Sequence, residues 1–251
     1  ECTVPYAFSN VLHPASRADF LSAVEHWESK TGLRFVEDSS ADDLIVVMSG
    51  SGCSSYLGKN GGAQYLSLAS NCGRGAAIHE IGHAMGLFHE QARSDRDQHV
   101  TVHPENVPAY LRYNFETYVD RNISGLDLGP YDHGSIMHYN SAAFSSGVCY
   151  PGETQGCSIT HTDGSYITEN QRYTLSDGDI AAIATMYPSC GGGTTPAPST
   201  DDHADTFRDA TVITGSVSID GYLDPDDHDV FTLDVEPGTE LVAWTSGTTD
   251  T

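Results

Sequence analysis

The segment His79-Glu80-Ile81-Gly82-His83-Ala84-Met85-Gly86-Leu87-Phe88-His89-Glu90 carries three histidines, two glutamates and two glycines at offsets that constrain one another. His79 and His83 stand at i and i+4, so one helix face presents both imidazoles to a single ion. His89 lies six positions beyond His83. On a continued helix it would point about 240° round, away from that ion. It returns only if the helix stops between them. Gly86 supplies the stop, because glycine accepts the left-handed conformation of a helix end. The pattern predicts a helix over 75–87 and a reversal that brings a third imidazole back. Three neutral nitrogens would then hold zinc and leave one position open for water.

Glu80 sits beside His79 but off the ligand spacing. A carboxylate there can take a proton from zinc-bound water and later pass it to a leaving amine. The metal lowers the water's pKa and polarises the scissile carbonyl. That chemistry hydrolyses an amide bond. A closed structural zinc is the bland alternative, but such sites favour cysteine ligands and a filled fourth position.

Further along stands Ser135-Ile136-Met137-His138-Tyr139. An extended histidine motif followed by a distal Met-turn is the metzincin signature. With Glu90 directly after the third histidine, the chain resembles the astacin family of metzincin zinc proteases. Gln91-Ala92-Arg93-Ser94-Asp95-Arg96-Asp97 carries the same resemblance, as does Cys53-Ser54-Ser55-Tyr56-Leu57-Gly58 with Gln64 and Leu66-Ser67-Leu68. It runs from about Val4 to Cys190.

Strands and a helix come first and irregular chain follows, so the class is α+β, and the resemblance implies that it is built as two subdomains. A twisted N-terminal sheet with helices would precede a loop-rich C-terminal subdomain closed by a terminal helix. It implies a secreted zinc endopeptidase that cuts internal peptide bonds of proteins, is made with an N-terminal pro-segment and acts as a monomer. His79, His83 and His89 would bind zinc, and Glu80 would be the general base and acid. Met137 would form the floor under the metal. Tyr139 would be a displaceable fifth ligand that swings away to hydrogen-bond the tetrahedral intermediate. A phenol suits both tasks because its oxygen donates and accepts. His138 reads as structural. Glu90 would sit beneath the site, where family members meet the mature N-terminus. Only three residues precede Val4-Pro5-Tyr6 here, so Glu1 is expected to fall short and Glu90 to have another partner.

Family members bind an extended peptide along an edge strand of the N-terminal sheet. Gln64 to Leu68, with Gln64 and Leu66, is the candidate for that β-augmentation. Arg172 matches a family position that often carries a pocket-lining cation. There it would favour an acidic residue after the scissile bond through a charge-assisted pair. The alternative for Arg172 is an ordinary surface arginine.

Six cysteines, an even and dispersed set, suggest disulfides and an oxidising compartment. Sequence alone leaves fifteen connectivities open. Cys53 and Cys72 bracket one Gly-containing segment, Cys149 and Cys157 bracket another, and Cys2 and Cys190 remain. Free buried thiols are the alternative. The resemblance implies Cys53–Cys72 as a family disulfide, Cys2 as a substitute partner for Cys190, and Cys149–Cys157 as an added loop near the cleft. A sharper alternative makes Cys2 a zinc-blocking thiol in a latent form.

The 251 residues include 11 basic and 35 acidic side chains, hence 11 − 35 = −24 with histidine neutral. Nucleic acid and anionic membrane surfaces need clustered Lys/Arg, so both are excluded as expected partners. No run of about 18 apolar residues predicts a membrane span. No signal peptide is recognised, and the opening Glu1-Cys2-Thr3 reads as a processed or trimmed form. Strands are predicted at Val4–Phe8, Leu33–Val36, Leu44–Met48 and Gln64–Leu68. Helices are predicted over 16–31 and over 176–187, the latter capped by Ser176.

Gly191-Gly-Gly-Thr-Thr-Pro-Ala-Pro-Ser199 reads as a linker. The expected organisation is a protease domain at 1–190, a linker at 191–200 and an acidic β-rich module at 201–251. That module carries 1 − 13 = −12 charges and four strand-like runs, and it reads as incomplete. It resembles bacterial pre-peptidase C-terminal domains, whence the expectation of a bacterial, extracellular protein. Asp224, Asp226, Asp227 and Asp229 offer the oxygen ligands calcium takes, or are solvated turn residues. The competing functional reading is a binding protein whose tail adheres to a polymer while the first domain is ancillary. The intact His79, Glu80, His83, His89 and Tyr139 argue against that.

Overall fold

The computed structural model describes residues 2–190 and two short strands beyond them. The chain divides into two compact units, Glu1–Ala197 and Pro198–Thr251. The fold is α+β.

The first unit begins with strand β1 (Thr3–Phe8), helix α1 (Pro14–Lys30), and strands β2 (Arg34–Glu37), β3 (Leu44–Met48), β4 (Ser54–Ser55) and β5 (Ala63–Ser67). Pro14 starts α1 with its φ pre-set and no amide to satisfy, and the His13 side chain accepts from the Ala15 amide. Phe20, Ala23, Val24 and Trp27 form the buried face of α1. The indole of Trp27 donates to the Ile78 carbonyl at 3.1 Å, joining α1 to helix α2 (Gly73–Ala84). Ile45 and Val47 of β3 and Leu66 of β5 complete that core.

The sheet order is β2-β1-β3-β5-β4, with β4 antiparallel to β5 and the other pairs parallel. One expectation is corrected here. Gln64 to Leu68 is not the edge of the sheet, because β4 pairs Ser55 with Leu66 and Ser54 with Ser67. Leu66 is fully buried, and Gln64 is buried with its amide bonded to Gly58 O and Asn60 N. Their alternation is that of a strand with one buried face, and alternation reports faces rather than edges.

The second half of the unit is loop-rich, as expected. It holds a two-stranded antiparallel ribbon, β6 (Val100–Val102) with β7 (Ile159–His161), and closes with helix α3 (Asp177–Met186). Val100, Val107, Phe115, Tyr139, Ile159 and Ile167 form its small core. A capping box starts α3: Ser176 Oγ accepts from the Asp179 amide, and the Asp179 carboxylate accepts from the Ser176 amide.

Three disulfides are present, Cys2–Cys190, Cys53–Cys72 and Cys149–Cys157. Cys2 is therefore bonded to sulfur and is not a zinc-blocking thiol. Among the described residues no helix is long and apolar enough to cross a membrane.

In the second unit β8 (Thr211–Ile213) pairs in parallel with β9 (Phe231–Leu233). The linker at 191–200, the strand-like runs at 217–219 and 241–244, and the aspartates at 224, 226, 227 and 229 lie outside the described residues. So does Glu1.

Candidate active site

Helix α2 ends at Ala84, three residues short of the predicted 87. Gly86 has φ +100°, and the turn is double-bonded: Gly86 N donates to His83 O and Leu87 N to Gly82 O, each at 2.9 Å. This helix stop satisfies two terminal carbonyls and reverses the chain. His89 returns to the face that carries His79 and His83.

The three imidazoles converge. Nε2 of His89 lies 3.2 Å from Nε2 of His83 and 3.3 Å from Nε2 of His79. Nδ1 of His79 donates to the Ile136 carbonyl and Nδ1 of His83 to the Leu87 carbonyl, both at 2.8 Å. A carbonyl only accepts, so in these two rings the hydrogen sits on Nδ1 and the Nε2 lone pair faces the centre. Burial holds all three imidazoles below their ordinary range, His83 at about 4. Nitrogens set tetrahedrally about 2.0–2.1 Å from one zinc stand about 3.3 Å apart, so the donor set fits that ion. Among the described residues no other group of His, Cys, Asp and Glu has this convergence.

Glu80 is buried on α2, and burial raises its carboxyl to about 7 against a smaller opposing pull from Arg172. Met137 is buried under the site, its sulfur facing Gly82 of α2. Tyr139 packs its ring 4.3 Å from that of His89, and burial raises its phenol. Glu80 and Arg172 both act on that phenol by charge. The Tyr139 backbone is held at both ends. Gln91 Oε1 accepts from its amide at 3.1 Å, and His138 Nδ1 donates to its carbonyl at 2.7 Å. His138 is wholly buried, its Nε2 bonded to Tyr131 Oη at 2.8 Å.

Glu90 has a partner in the second half of the unit, while Glu1 lies outside the described residues. Glu90 accepts from the Asp132 amide at 2.9 Å and pairs with Arg93 at 3.4 Å. Burial raises its carboxyl to about 7. With Arg93, Tyr118, Leu126 and Met186 it lines a cavity of about 460 Å³.

Arg172 lies against the site. Its Nη1 donates to the carbonyls of Ile136, His138 and Gln171, while the side chain as a whole is exposed. Its backbone presses on α2, where a Cβ at Gly75 would overlap the Arg172 carbonyl. Gln64 and Leu66 do not join this group.

Two contributors escaped the sequence. Gln91 gave no local signal of its role. Asp179 is buried, accepting from Ser135 Oγ at 2.6 Å and Ile136 N at 3.0 Å, and so ties the start of α3 to the Met137 turn. The Ser-x-x-Asp spacing of its capping box was the available signal.

The family profile described as astacin, a peptidase family, matches residues 1–188. The chain belongs to the astacin family. With that membership comes an enzyme class, the zinc metalloendopeptidases. The chain is 35% identical over 249 residues to tolloid-like protein 2 of Homo sapiens, a match that covers 95% of this chain and 22% of that protein. It is 36% identical over 220 residues to zinc metalloproteinase nas-15 of Caenorhabditis elegans, covering 86% of this chain and 37% of that one. High choriolytic enzyme 1, a hatching enzyme zinc-protease from the medaka fish Oryzias latipes, has a similar solved structure. Its TM-score is 0.65 at 34% identity, over 74% of this chain and 89% of that one. This astacin-family chain spans about a fifth of the length of the tolloid relatives it matches.

Proposed function

We propose that this chain is a secreted zinc endopeptidase that hydrolyses internal bonds of protein substrates. The observation that carries the reading is the convergence of three neutral imidazoles beside a buried carboxyl whose pKa lies near neutrality. His79, His83 and His89 would hold a zinc ion, which would supply Lewis-acid polarisation of the scissile carbonyl and lower the pKa of a bound water. Glu80 takes a proton from the attacking water and returns it to the leaving amine, a two-way task suited to a carboxyl titrating near 7. Tyr139 donates a hydrogen bond from its phenol to the developing oxyanion and keeps its proton. Met137 and the Ile136 carbonyl hold the floor and the His79 tautomer.

The exposed edge of the sheet, β4 with Tyr56 and Leu57 after it, replaces Gln64–Leu68 as the strand on which an extended substrate lies. Arg172 has Nη2 and Nε free of partners among the described residues, which supports a preference for an acidic residue after the scissile bond. The three disulfides support an extracellular location. A bacterial source and an accessory role for 201–251 rest on the resemblance of that segment alone. Calcium there rests on its aspartates, and synthesis with a pro-segment and a monomeric state rest on the family.

The test is cleavage of an unbiased peptide library, read by mass spectrometry, with Glu80→Ala and a chelated sample as controls. Cuts that vanish in both establish zinc proteolysis, and an excess of Asp or Glu after the cut bond supports the role of Arg172. A folded, zinc-loaded protein that cuts nothing would sink the reading.

A further inference from the structure

We propose that Phe144 is a positioning residue for Tyr139: its ring, held over Tyr139 by a left-handed backbone, keeps the phenol directed at the three histidines. The inference rests on the reading of Tyr139 as the phenol that serves the reaction.

Phe144 has φ +55°. Among the described residues only Asn122 shares a positive φ without being glycine. Asparagine tolerates that conformation, whereas a bulky residue in it is an outlier. The usual compensation would be burial of the ring, yet Phe144 is 41% exposed. A costly backbone that does not even hide its side chain points to what the ring touches. It touches Tyr139 at 5.5 Å between centroids and Phe115 at 6.3 Å. Phe115, which also packs on Tyr139, is buried, so Phe144 is the exposed member of this group of rings.

The backbone around Phe144 is fixed from several sides. Ser145 N donates to Ala142 O at 3.0 Å, and Ser145 Oγ to Gly156 O at 2.5 Å. Ser146 N donates to Asn106 O at 2.9 Å, and Asn106 Nδ2 to Cys157 O at 2.7 Å. Cys149–Cys157 closes the loop that follows. A left-handed Phe144 is thus imposed by its flanks. Meanwhile Gln91 and His138 pin both ends of the Tyr139 peptide, leaving the phenol only its side-chain torsions. His89, Phe115 and Phe144 all pack against the ring, with centroids 4.3, 5.6 and 5.5 Å from it.

Phe144→Gly and Phe144→Asn remove the ring while suiting the left-handed backbone, so both should fold, and thermal melting checks this. Phe144→Tyr keeps the ring. Turnover of a peptide by the zinc-loaded full chain should fall about tenfold in the first two variants, less than the roughly hundredfold expected for losing the Tyr139 donor itself. KM should stay unchanged, and Phe144→Tyr should restore turnover. In a Tyr139→Phe background, Phe144→Gly should cost nothing more. Copper(II) loaded in place of zinc gives a second readout. With Tyr139 as the displaceable ligand that the resemblance implies, the native chain should show a phenolate-to-copper absorption that vanishes in Tyr139→Phe and weakens in Phe144→Gly at equal copper content.

A rise in KM or an altered cleavage pattern with turnover intact would make Phe144 a substrate contact and overturn the proposal. An equal loss in both backgrounds, or an unchanged absorption band, would also overturn it while leaving the Tyr139 reading standing. Wild-type turnover in Tyr139→Phe would overturn both.

Discussion

Glu80 shows how burial prepares a single group for the task proposed for it. Its carboxyl is raised to about 7 because water is excluded, not because a like charge faces it. Glu80→Gln keeps the shape and removes the base, so turnover should fall about 10²–10⁴-fold with bound zinc unchanged by metal analysis. Gly75 is a second single-residue control. Arg172 reaches the site only because its carbonyl can rest on α2 where Gly75 has no side chain. Gly75→Ala should therefore destabilise by about 1–3 kcal/mol in urea melts, and shift Arg172 together with the selectivity proposed for it. A cleavage pattern unaltered in Gly75→Ala would mean that Arg172 does not set that selectivity.

Helix α2 is useful because of where it ends. Its last turn closes on Gly86 at φ +100°, a backbone that costs a Cβ-bearing residue about 1–2 kcal/mol. Gly86→Ala should lower the melting temperature and also weaken zinc retention in a chelator competition, since His89 depends on that reversal. Loss of stability with zinc affinity unchanged would show that His89 finds the ion by another route. At the other end of the site, α3 acts through its first turn. Asp179 serves its own capping box and the Met137 turn together. The strand β4 is only two residues long, yet it decides which backbone meets solvent at the sheet edge.

Two global properties set the stability of the first unit. Cys2–Cys190 spans 188 residues and joins the start of β1 to the turn that follows α3. In the chain-entropy account a loop of that order contributes about 5 kcal/mol, so Cys2→Ser with Cys190→Ser should lower the melting temperature strongly. The second property is pH. Burial holds His138 at about 3 in the folded chain, against about 6.5 when unfolded. Below 6.5 the unfolded chain takes up a proton that the folded chain refuses. The stability that neutral His138 contributes is thus present above pH 6.5 and lost as pH falls toward 3. The three converging histidines, His79, His83 and His89, shift in the same direction. Melting temperature of the metal-free protein should fall through that window, and less steeply in His138→Gln. An identical slope in the variant would remove His138 from the account.

The zinc-binding pattern was legible because its geometry is local: i and i+4 on a helix, a glycine stop, and a return within six residues. The α+β class, the opening strands and the capped last helix were legible for the same reason, since periodicity and caps are written in neighbouring residues. The pairing of β4 outside β5 was not, because a half-buried strand alternates in the same way at an edge or one place in. Gln91 beneath Tyr139, Asp179 beneath the Met137 turn and the Arg172 carbonyl on Gly75 join residues more than 40 positions apart, and Phe144 over the phenol depends on one backbone angle. Residue order, with the family resemblance it carries, thus named the groups proposed for the chemistry. Packing between distant segments settled how those groups are aimed, because contacts that cross the fold leave no spacing in the chain to read.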